Sequence, residues 1–380
     1  MTAVESAERM LFASTTQAFL RKEASLPAVR ELHAAGRSFD PAWWRRAAEL
    51  GWTSLLIPED LGGGSVSGEG ALDLALVAEI AGGTVAPGPL HPVSVVLAGL
   101  IDATNCAEHS ATIESLMAGE TIATWAVYEP GRSWEPLQSK VTAVASGNGY
   151  RIRGVKDRVE AAAESEVLLV VCRCADGVRQ LLVPTDGNSV RIEEQPSIDI
   201  VKRYARVYFD DVWVSSDAVV GGWGQTPALI ERQTQIALML QCAELVGIVD
   251  AAFAITCAWA LDRYSFGRPL ASYQALKHRF ADMKTRLEAC RATTVHAAGA
   301  IAARSPEADV SAMIAKSYVG EWATHMLQDC IQLHGGIGLT WEHDLHLYLR
   351  RAALHRAMFG SPEQHNQHLF DKLGASRTAP

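Results

Sequence analysis

Residues 228–263 read ALIERQTQIALMLQCAELVGIVDAAFAITCAWALDR, and this stretch decides the fold. It contains no turn signal and few charged residues, although it is about three times as long as the average helix. A mostly apolar helix of this length needs neighbouring helices to cover it. We therefore predict one long helix here, packed within a helical bundle.

Two more long helices are predicted downstream of this stretch. One runs from about residue 273 to 304, and residues 305–307 (SPE) then give the third helix a cap, a first-turn proline and an acid near its positive end. The third helix is predicted to stop at Gly335 and Gly336. Three long helices leave one side uncovered, so residues 227–380 are expected to form a four-helix-bundle domain that associates with another chain.

The sequence pattern changes to strands upstream of the long helix. Alternating residues on both sides of residues 147–149 (GNG) predict a β-hairpin. Further strands are predicted at 167–172 and 181–183, which flank a turn, and at 205–214, which is rich in β-branched and aromatic residues. Residues 121–226 are therefore predicted to form a central β domain, barrel-like or a sandwich.

Helical spacing of apolar residues marks the start of the chain. Amphipathic segments at 43–50 and 72–80 predict that residues 1–120 form an N-terminal helical domain. The complete order is helices, then strands, then long helices. This order indicates an α+β multi-domain protein with no internal repeat.

Composition and charge disfavour several classes of function. The chain has 34 Lys and Arg against 43 Asp and Glu, a formal net charge of −9, which disfavours nucleic acid as a partner. The longest charge-free stretch, 80–101, contains three prolines and four glycines, so we expect no membrane span. Residues 1–25 do not resemble a secretory signal. We therefore expect a cytoplasmic protein.

The sequence does not predict a metal site. Among the seven cysteines, only Cys172 and Cys174 lie close together, and their spacing fits neither a zinc site nor a redox motif. A second group of possible ligands lacks the His-Glu-x-x-His spacing of a zinc protease. Its members are His334, His343, Asp344 and His346.

Three short motifs are spread along the chain. Residues 57–63 read IPEDLGG, 263–270 read RYSFGRPL and are followed by KHRFADM at 277–283, and 332–338 read QLHGGIG ahead of Arg350. Together they resemble the motifs of the acyl-CoA dehydrogenase family of flavoproteins, over nearly the whole chain. The resemblance implies FAD as the cofactor and an acyl-CoA as the substrate.

The resemblance also implies which residues bind the cofactor. A flavin dinucleotide carries a pyrophosphate, which guanidinium and backbone N–H groups bind, and a glycine pair lets the backbone approach it closely. The alternative is that the glycines only end a helix and that the arginine is a solvated surface residue. By resemblance, the residues that hold the ADP half of a flavin seated on a neighbouring subunit are Arg263, Phe266, Gln274, Gln332, His334, Gly335 and Gly336.

Two regions of the predicted β domain depart from the family pattern. Where the family has a TEPxxGSD run, residues 128–133 read YEPGRS, and where it has Trp-Ile-Thr/Ser, residues 154–160 read GVKDRVE. In the family these runs contact the flavin ring. An acidic, arginine-bearing segment is a poor apolar platform for that ring, although backbone donors can still serve its pyrimidine edge.

The family's catalytic carboxylate is missing from its two usual positions. Removal of the α-proton of a thioester needs one carboxylate beside that carbon. The matching positions here hold Phe359, ahead of Gly360, and Ala237. Glu244 lies about two helical turns beyond Ala237 in an apolar stretch, and burial raises the pKa of a carboxylate toward the range of a general base. We predict Glu244 as the catalytic base; alternatively, it is a helix-face carboxylate paired with a cation.

Glu244 and residues 340–346 (TWEHDLH) also resemble a bacterial subgroup of the family. Some of its members act on CoA thioesters of steroid side chains or other bulky acids, as heterotetramers whose two different chains share each flavin site. The leading hypothesis is FAD-dependent α,β-dehydrogenation of an acyl-CoA to a trans-2-enoyl-CoA by a homotetramer or α2β2 heterotetramer, with an electron-transfer acceptor. A non-catalytic subunit that completes a partner's FAD site is the alternative. An oxidase or flavin monooxygenase is a third possibility.

Overall fold

The computed structural model describes the backbone of residues 7–378 and the side chains through residue 372. The six residues before Ala7, which belong to the segment searched for a secretory signal, lie outside this range. The described chain forms two compact units. One contains residues up to 31, 71–86 and 238 onward, and the other contains 32–70 and 87–237.

Helices make up the first part of the described chain, as the sequence predicts. Local chemistry sets some of their ends: the Asp40 carboxylate accepts a hydrogen bond from Ala42 N at 3.0 Å, and Pro41 occupies the first turn of the helix that follows. The helices are α1 (Ala7–Glu23), α2 (Leu26–Ala34), α3 (Pro41–Glu49), α4 (Gly70–Gly82), α5 (Leu90–Ile101) and α6 (Ser110–Met117).

The next part of the chain forms one sheet. Its strands are β1 (Ala123–Ala126), β2 (Thr142–Ser146), β3 (Gly149–Glu160), β4 (Val167–Cys174), β5 (Gly177–Pro184), β6 (Val190–Gln195), β7 (Tyr204–Ser215) and β8 (Val219–Val220). The strand order is β6-β7-β3-β2-β4-β5-β8, and β1 pairs in parallel with β4. The predicted β domain is confirmed. Across the strands described, β6 and β8 remain edges, so the sheet is open and not a closed barrel.

The hairpin predicted at residues 147–149 joins β2 to β3. Ser146 pairs with Gly149, and Gly147 has a φ of 62°, a backbone region that favours glycine. Successive strand residues point to opposite faces of the sheet, so one set of apolar residues is buried together. Ile152 of β3, Leu168 of β4 and Val207 of β7 belong to this core.

The long helix predicted from residues 228–263 is α7 (Thr226–Asp262). Among the described helices, only α7 is long and apolar enough to cross a membrane by length and composition alone. However, 83% of its most apolar window is buried inside the protein. This burial is typical of a core helix, and it agrees with the bundle position predicted from the sequence.

The predicted C-terminal helical bundle is confirmed, with one difference in where its third long helix begins. The third long helix begins at Ala308 and not at the predicted Ser305 cap; the Ser305 Oγ instead accepts a hydrogen bond from Glu307 N at 3.2 Å in the turn before it. Two shorter helices complete the bundle by packing on that helix. The elements after α7 are β9 (Tyr264–Ser265), β10 (Arg268–Pro269), α8 (Gln274–Ala302), α9 (Ala308–His334), α10 (Leu345–Ala357) and α11 (Pro362–Thr378).

Gly247 lets α7 approach α4 closely. A Cβ atom added at Gly247 would lie 1.8 Å from the backbone oxygen of Glu79 in α4. One added at Gly82 would lie 2.1 Å from the backbone oxygen of Glu244 in α7. Neither obstacle is a side chain that can rotate away. We therefore expect Gly247→Ala to lower the free energy of unfolding by about 1–3 kcal/mol.

Gly299→Ala in α8 is the matched control for Gly247→Ala. A Cβ at Gly299 would meet nothing within 4 Å, so alanine there should raise the free energy of unfolding by about 0.5–1 kcal/mol. Urea unfolding followed by circular dichroism measures both variants. Equal stability of the two variants would contradict the close approach of α7 to α4.

Candidate cofactor-binding and catalytic site

The loop between α7 and α8 presents Phe266 to the surface. Phe266 has a φ of 51°, and its side chain is 97% exposed. Hydrogen bonds within the loop hold this conformation: Leu270 N donates to the backbone oxygen of Arg263 at 2.8 Å. Tyr273 Oη donates to the backbone oxygen of Ser265 at 2.7 Å. A single exposed apolar side chain does not by itself define a site, so the assignment of Phe266 to the cofactor stays a prediction.

Gly335 and Gly336 follow the last residue of α9, as predicted, and both face open space. Gly335 has a φ of 69°, and a Cβ atom at either glycine would meet nothing within 4 Å. The backbone is therefore open to close approach by a ligand. Gln332, in the last turn of α9, and Gln274, at the start of α8, are also exposed.

His334 differs from the other predicted cofactor residues because it is buried. Its Nδ1 lies 2.9 Å from the backbone oxygen of Cys330, and since a carbonyl only accepts, Nδ1 carries the proton. Burial lowers the pKa of His334, which favours the neutral ring with Nε2 as an acceptor. Within residues 7–372, this buried Nε2 has no hydrogen-bond partner. A ligand that donates a hydrogen bond would satisfy it.

Trp259 joins the end of α7 to the end of α9. Its ring stacks on His334, with 5.0 Å between the centroids and 20° between the planes, and the Arg263 guanidinium lies 5.8 Å from its centroid. The sequence does not single out Trp259. Its Nε1 is buried and has no partner in the described part of the chain. The structure thus brings Arg263 and His334 to one edge. Gln332 belongs to the same end of α9, where its backbone oxygen accepts a hydrogen bond from Gly335 N. Among the residues that the structure describes, no ring contact links Phe266 to this edge.

Glu244 lies inside the helical bundle. Its side chain is buried on α7, and the guanidinium of Arg351 on α10 donates a hydrogen bond to its Oε1. His355 Nε2 lies 3.0 Å from its Oε2. The pairing with a cation, which the sequence leaves open as an alternative, is therefore present. An arginine partner stabilises the ionised carboxylate, which opposes the effect expected from burial alone. Catalysis by Glu244 stays a prediction.

Polar groups surround Glu244 more closely than its local sequence indicates. Its neighbours along α7 are apolar apart from Gln241, but α9 and α10 bring charged side chains. Lys316 Nζ on α9 donates to Gln241 Oε1 at 2.5 Å and to the backbone oxygen of His355. Burial lowers the pKa of Lys316 to about 7. A buried polar network therefore connects α7, α9 and α10 around Glu244.

The two departing segments of the β domain contact each other. The Arg158 guanidinium lies 4.3 Å from the centroid of the Tyr128 ring, and this ring packs on Trp134 at 5.1 Å. The cavity beside them has a volume of only about 10 Å³, room for about one water molecule. The Arg158 guanidinium thus covers one face of Tyr128. Tyr128 lies in the segment that matches the family's flavin-ring contacts.

A buried ion pair, Glu129 with Lys156, lies behind Tyr128. Lys156 Nζ is 3.0 Å from Glu129 Oε1, and Ser139 Oγ donates to the same oxygen at 2.7 Å. Burial alone would raise the pKa of Glu129, but Lys156 and the hydrogen bonds from Ser139 and Lys140 N lower it to about 2. Burial lowers the pKa of Lys156. The sequence does not predict this pair.

Solved structures first define the class of the chain. Butyryl-CoA dehydrogenase from Megasphaera elsdenii has the same fold, with a TM-score of 0.91 at 20% identity over 98% of this chain and 100% of that one. A variant of the Tcur3481–Tcur3483 steroid ACAD gives a TM-score of 0.88 at 25% identity, covering 98% and 99%. The chain therefore has the same fold as these two proteins.

Sequence comparisons then give the family. The model of the acyl-CoA dehydrogenase C-terminal domain matches residues 229–373, and that of the N-terminal domain matches residues 6–120. The acyl-CoA dehydrogenase IpdE2 of Mycolicibacterium smegmatis is 29% identical over 365 residues, which are 94% of this chain and 96% of that relative. This chain belongs to the acyl-CoA dehydrogenase family, and the resemblance inferred from its motifs is confirmed.

Proposed function

We propose that this chain takes part in the FAD-dependent α,β-dehydrogenation of an acyl-CoA thioester. The edge formed by the ends of α7 and α9 is the observation that supports this most. It exposes Arg263, opens the backbone at Gly335 and Gly336, and leaves Nε2 of His334 without a partner in the described chain. A guanidinium, an open backbone and a buried acceptor suit the phosphates and the ribose or adenine of a dinucleotide. The residues present therefore fit FAD.

Each residue of this edge has a proposed task. Arg263 binds phosphate oxygen, and Nε2 of His334 accepts a hydrogen bond from a hydroxyl or amino group. Phe266 offers an apolar face, while Gln274 and Gln332 supply amide groups. When bound, the flavin supplies the acceptor for the hydride that leaves the β-carbon.

Glu244 is the proposed base for the α-proton. It is buried in the long central helix, and its contact with Arg351 favours the ionised form. The positions that match the family's two usual bases, Phe359 and Ala237, have no carboxylate. An ionised carboxylate can accept the proton without first losing one.

The acyl group is proposed to be bulky or steroid-derived, with an electron-transfer acceptor as the second partner. The name of the steroid ACAD, which shares its fold with 98% of this chain, supports the substrate class. The order of helices, strands and helices supports domains at 1–120, 121–226 and 227–380. A cytoplasmic location is part of the same proposal; the burial of the apolar window of α7 supports a core helix and not a membrane span.

A second candidate function is a subunit that completes the flavin site of a homologous partner in an α2β2 assembly. The contact of Arg158 with Tyr128 specifically favours it, because it covers a surface that the family uses for the flavin ring. In this case the chain contributes the ADP-binding edge, and the partner contributes the surface for the ring and the catalytic carboxylate.

Purification of the chain alone and together with a homologous partner separates the two functions. The visible absorbance of bound flavin is measured in each preparation, before and after anaerobic addition of an acyl-CoA. A yellow, substrate-reducible protein obtained alone supports the dehydrogenase. A colourless chain that turns yellow only with the partner supports the completing subunit. A colourless preparation in both cases contradicts both functions.

His334→Phe is expected to weaken binding of ADP and FAD by about tenfold. Phenylalanine keeps a ring to stack on Trp259 but loses the buried Nε2 acceptor. His325→Phe is the matched control, since His325 lies on the same helix, is exposed and sits 5.8 Å from the ring of Trp322. Isothermal titration of the flavin-binding assembly measures both dissociation constants. Equal constants for His334→Phe and wild type would exclude His334 as a cofactor contact.

A further inference from the structure

Arg30 of α2 reaches the loop that follows α9, here called the glycine loop (residues 335–344). Its Nε and Nη2 donate to Asp344 Oδ1 at 3.1 and 2.9 Å. Nη2 also donates to the backbone oxygen of His343 at 3.3 Å. The guanidinium lies 5.3 Å from the centroid of the Trp341 ring. One planar side chain thus makes charge, backbone and ring contacts with the second half of the glycine loop.

Contacts between aromatic rings connect the glycine loop to the proposed cofactor-binding edge at the ends of α7 and α9. His343 meets His334 edge-on, with 4.7 Å between the centroids, and His334 stacks on Trp259. Trp341 stacks on His346, the second residue of α10, at 4.8 Å with 26° between the planes. A displacement of His343 would therefore change the environment of His334, whose Nε2 is the proposed cofactor contact.

The first half of the glycine loop is a short 3-10 helix (Gly335–Leu339), and its buried Gly338 packs closely against Ile331 and His334 in the last turn of α9. Gly335 and Gly336 face open space, and the side chains of Ile337 and Leu339 are exposed. A short segment with little buried surface takes its position mainly from its two ends. One end is the last turn of α9, and the other is the segment that Arg30 holds.

We propose that Arg30 is a positioning residue for the dinucleotide. It fixes Asp344 and His343, and through them the glycine loop and the ring of His334, without touching the cofactor itself. The inference rests on the function proposed above and names a residue far from the motifs in sequence. The side chains of Arg30 and Asp344 are 21% and 39% exposed, so their ion pair should add little to stability. Its effect on cofactor affinity should be larger.

The test is titration of ADP and of FAD into the flavin-binding assembly carrying Arg30→Gln. Both dissociation constants are expected to rise about tenfold, while the melting temperature stays close to that of wild type. Arg30→Lys should recover only part of the affinity, because lysine keeps the charge but lacks the planar fork. Asp344→Asn should weaken binding less than Arg30→Gln, because Arg30 keeps its contacts with the His343 backbone oxygen and the Trp341 ring. The double variant should add little to the loss in Arg30→Gln, because the Asp344 contact is already lost there.

Arg356→Gln is the control, because Arg356 Nη2 forms partly exposed ion pairs with Glu321, at 3.2 Å, and with Glu363, at 2.5 Å. Both pairs lie outside the glycine loop. This variant should leave both dissociation constants unchanged. Wild-type affinity in Arg30→Gln would overturn the inference while leaving the proposed function intact. A loss of melting temperature that accounts for the loss of affinity would also overturn it, by showing a structural role. If the wild-type assembly binds neither ligand, the proposed function fails and this inference with it.

Discussion

Replacing Glu244 by glutamine is expected to lower the rate of flavin reduction by an acyl-CoA by about 10²–10⁴-fold. Glutamine has nearly the same shape as glutamate, but it cannot accept the α-proton. Anaerobic stopped-flow absorbance of the assembled enzyme measures this step directly. Binding of the acyl-CoA should change much less, because proton abstraction contributes to the transition state and not to the bound substrate.

Glu244→Gln also leaves the buried guanidinium of Arg351 without its carboxylate, which costs about 3–5 kcal/mol of stability. The double variant Glu244→Gln/Arg351→Met removes both charges, so it should regain stability without regaining flavin reduction. Glu79→Gln, which breaks the pair between Glu79 and Arg291 at 3.0 Å, controls for loss of an ion pair in the same unit. A double variant that reduces flavin at near the wild-type rate would show that Glu244 is structural and that the base lies elsewhere.

Features set by local sequence could be predicted. The length of α7 follows from an apolar run without a turn signal, and the hairpin at 147–149 follows from glycine in a turn between alternating segments. The stop of α9 follows in the same way from Gly335, whose φ of 69° ends the helix. In each case a few neighbouring residues decide the backbone conformation, so no knowledge of distant contacts is needed.

The partners of Glu244 could not be predicted, because they come from distant parts of the chain. Arg351 lies 107 residues away, and the neighbours of Glu244 along α7 are mostly apolar. The only local signal for a buried cation is the consecutive pair Arg350 and Arg351. Neighbouring side chains on a helix point about 100° apart, so one of the two arginines can point into the bundle. The role of Gly247 could not be predicted for the same reason, because this glycine allows close packing of α7 on α4 and does not form a turn.

A bulge in β3 explains why the sequence of residues 154–160 does not predict which of their side chains are buried. The pairing of β3 with β7 shifts between Lys156 and Val159, and Arg158 has a φ of 50°. A bulge re-aims side chains, so simple alternation no longer tells which residues are buried. Lys156 consequently points into the core toward Glu129, whereas Arg158 lies over Tyr128.

Glu129→Gln is expected to lower the free energy of unfolding at neutral pH by about 3–5 kcal/mol. Lys156 is 0% exposed and Glu129 is 4% exposed, so the substitution leaves a buried ammonium group without its carboxylate. The double variant Glu129→Gln/Lys156→Met removes both charges and should recover much of the loss. Urea unfolding measures all three proteins. An unchanged stability of Glu129→Gln would show that Lys156 does not depend on this carboxylate.

The same carboxylate gives stability a pH dependence of defined sign. The pKa of Glu129 is about 2 in the folded protein, below its ordinary value of 4.5, so the unfolded chain binds the proton first as the pH falls. The stabilisation by ionised Glu129 is therefore fully present above about 4.5 and is lost as the pH falls from there to about 2. As the pH falls through this window, the free energy of unfolding of wild type should decrease relative to that of the double variant, because only wild type carries Glu129. A difference that stays constant across the window would mean that Lys156 does not hold Glu129 in its ionised form.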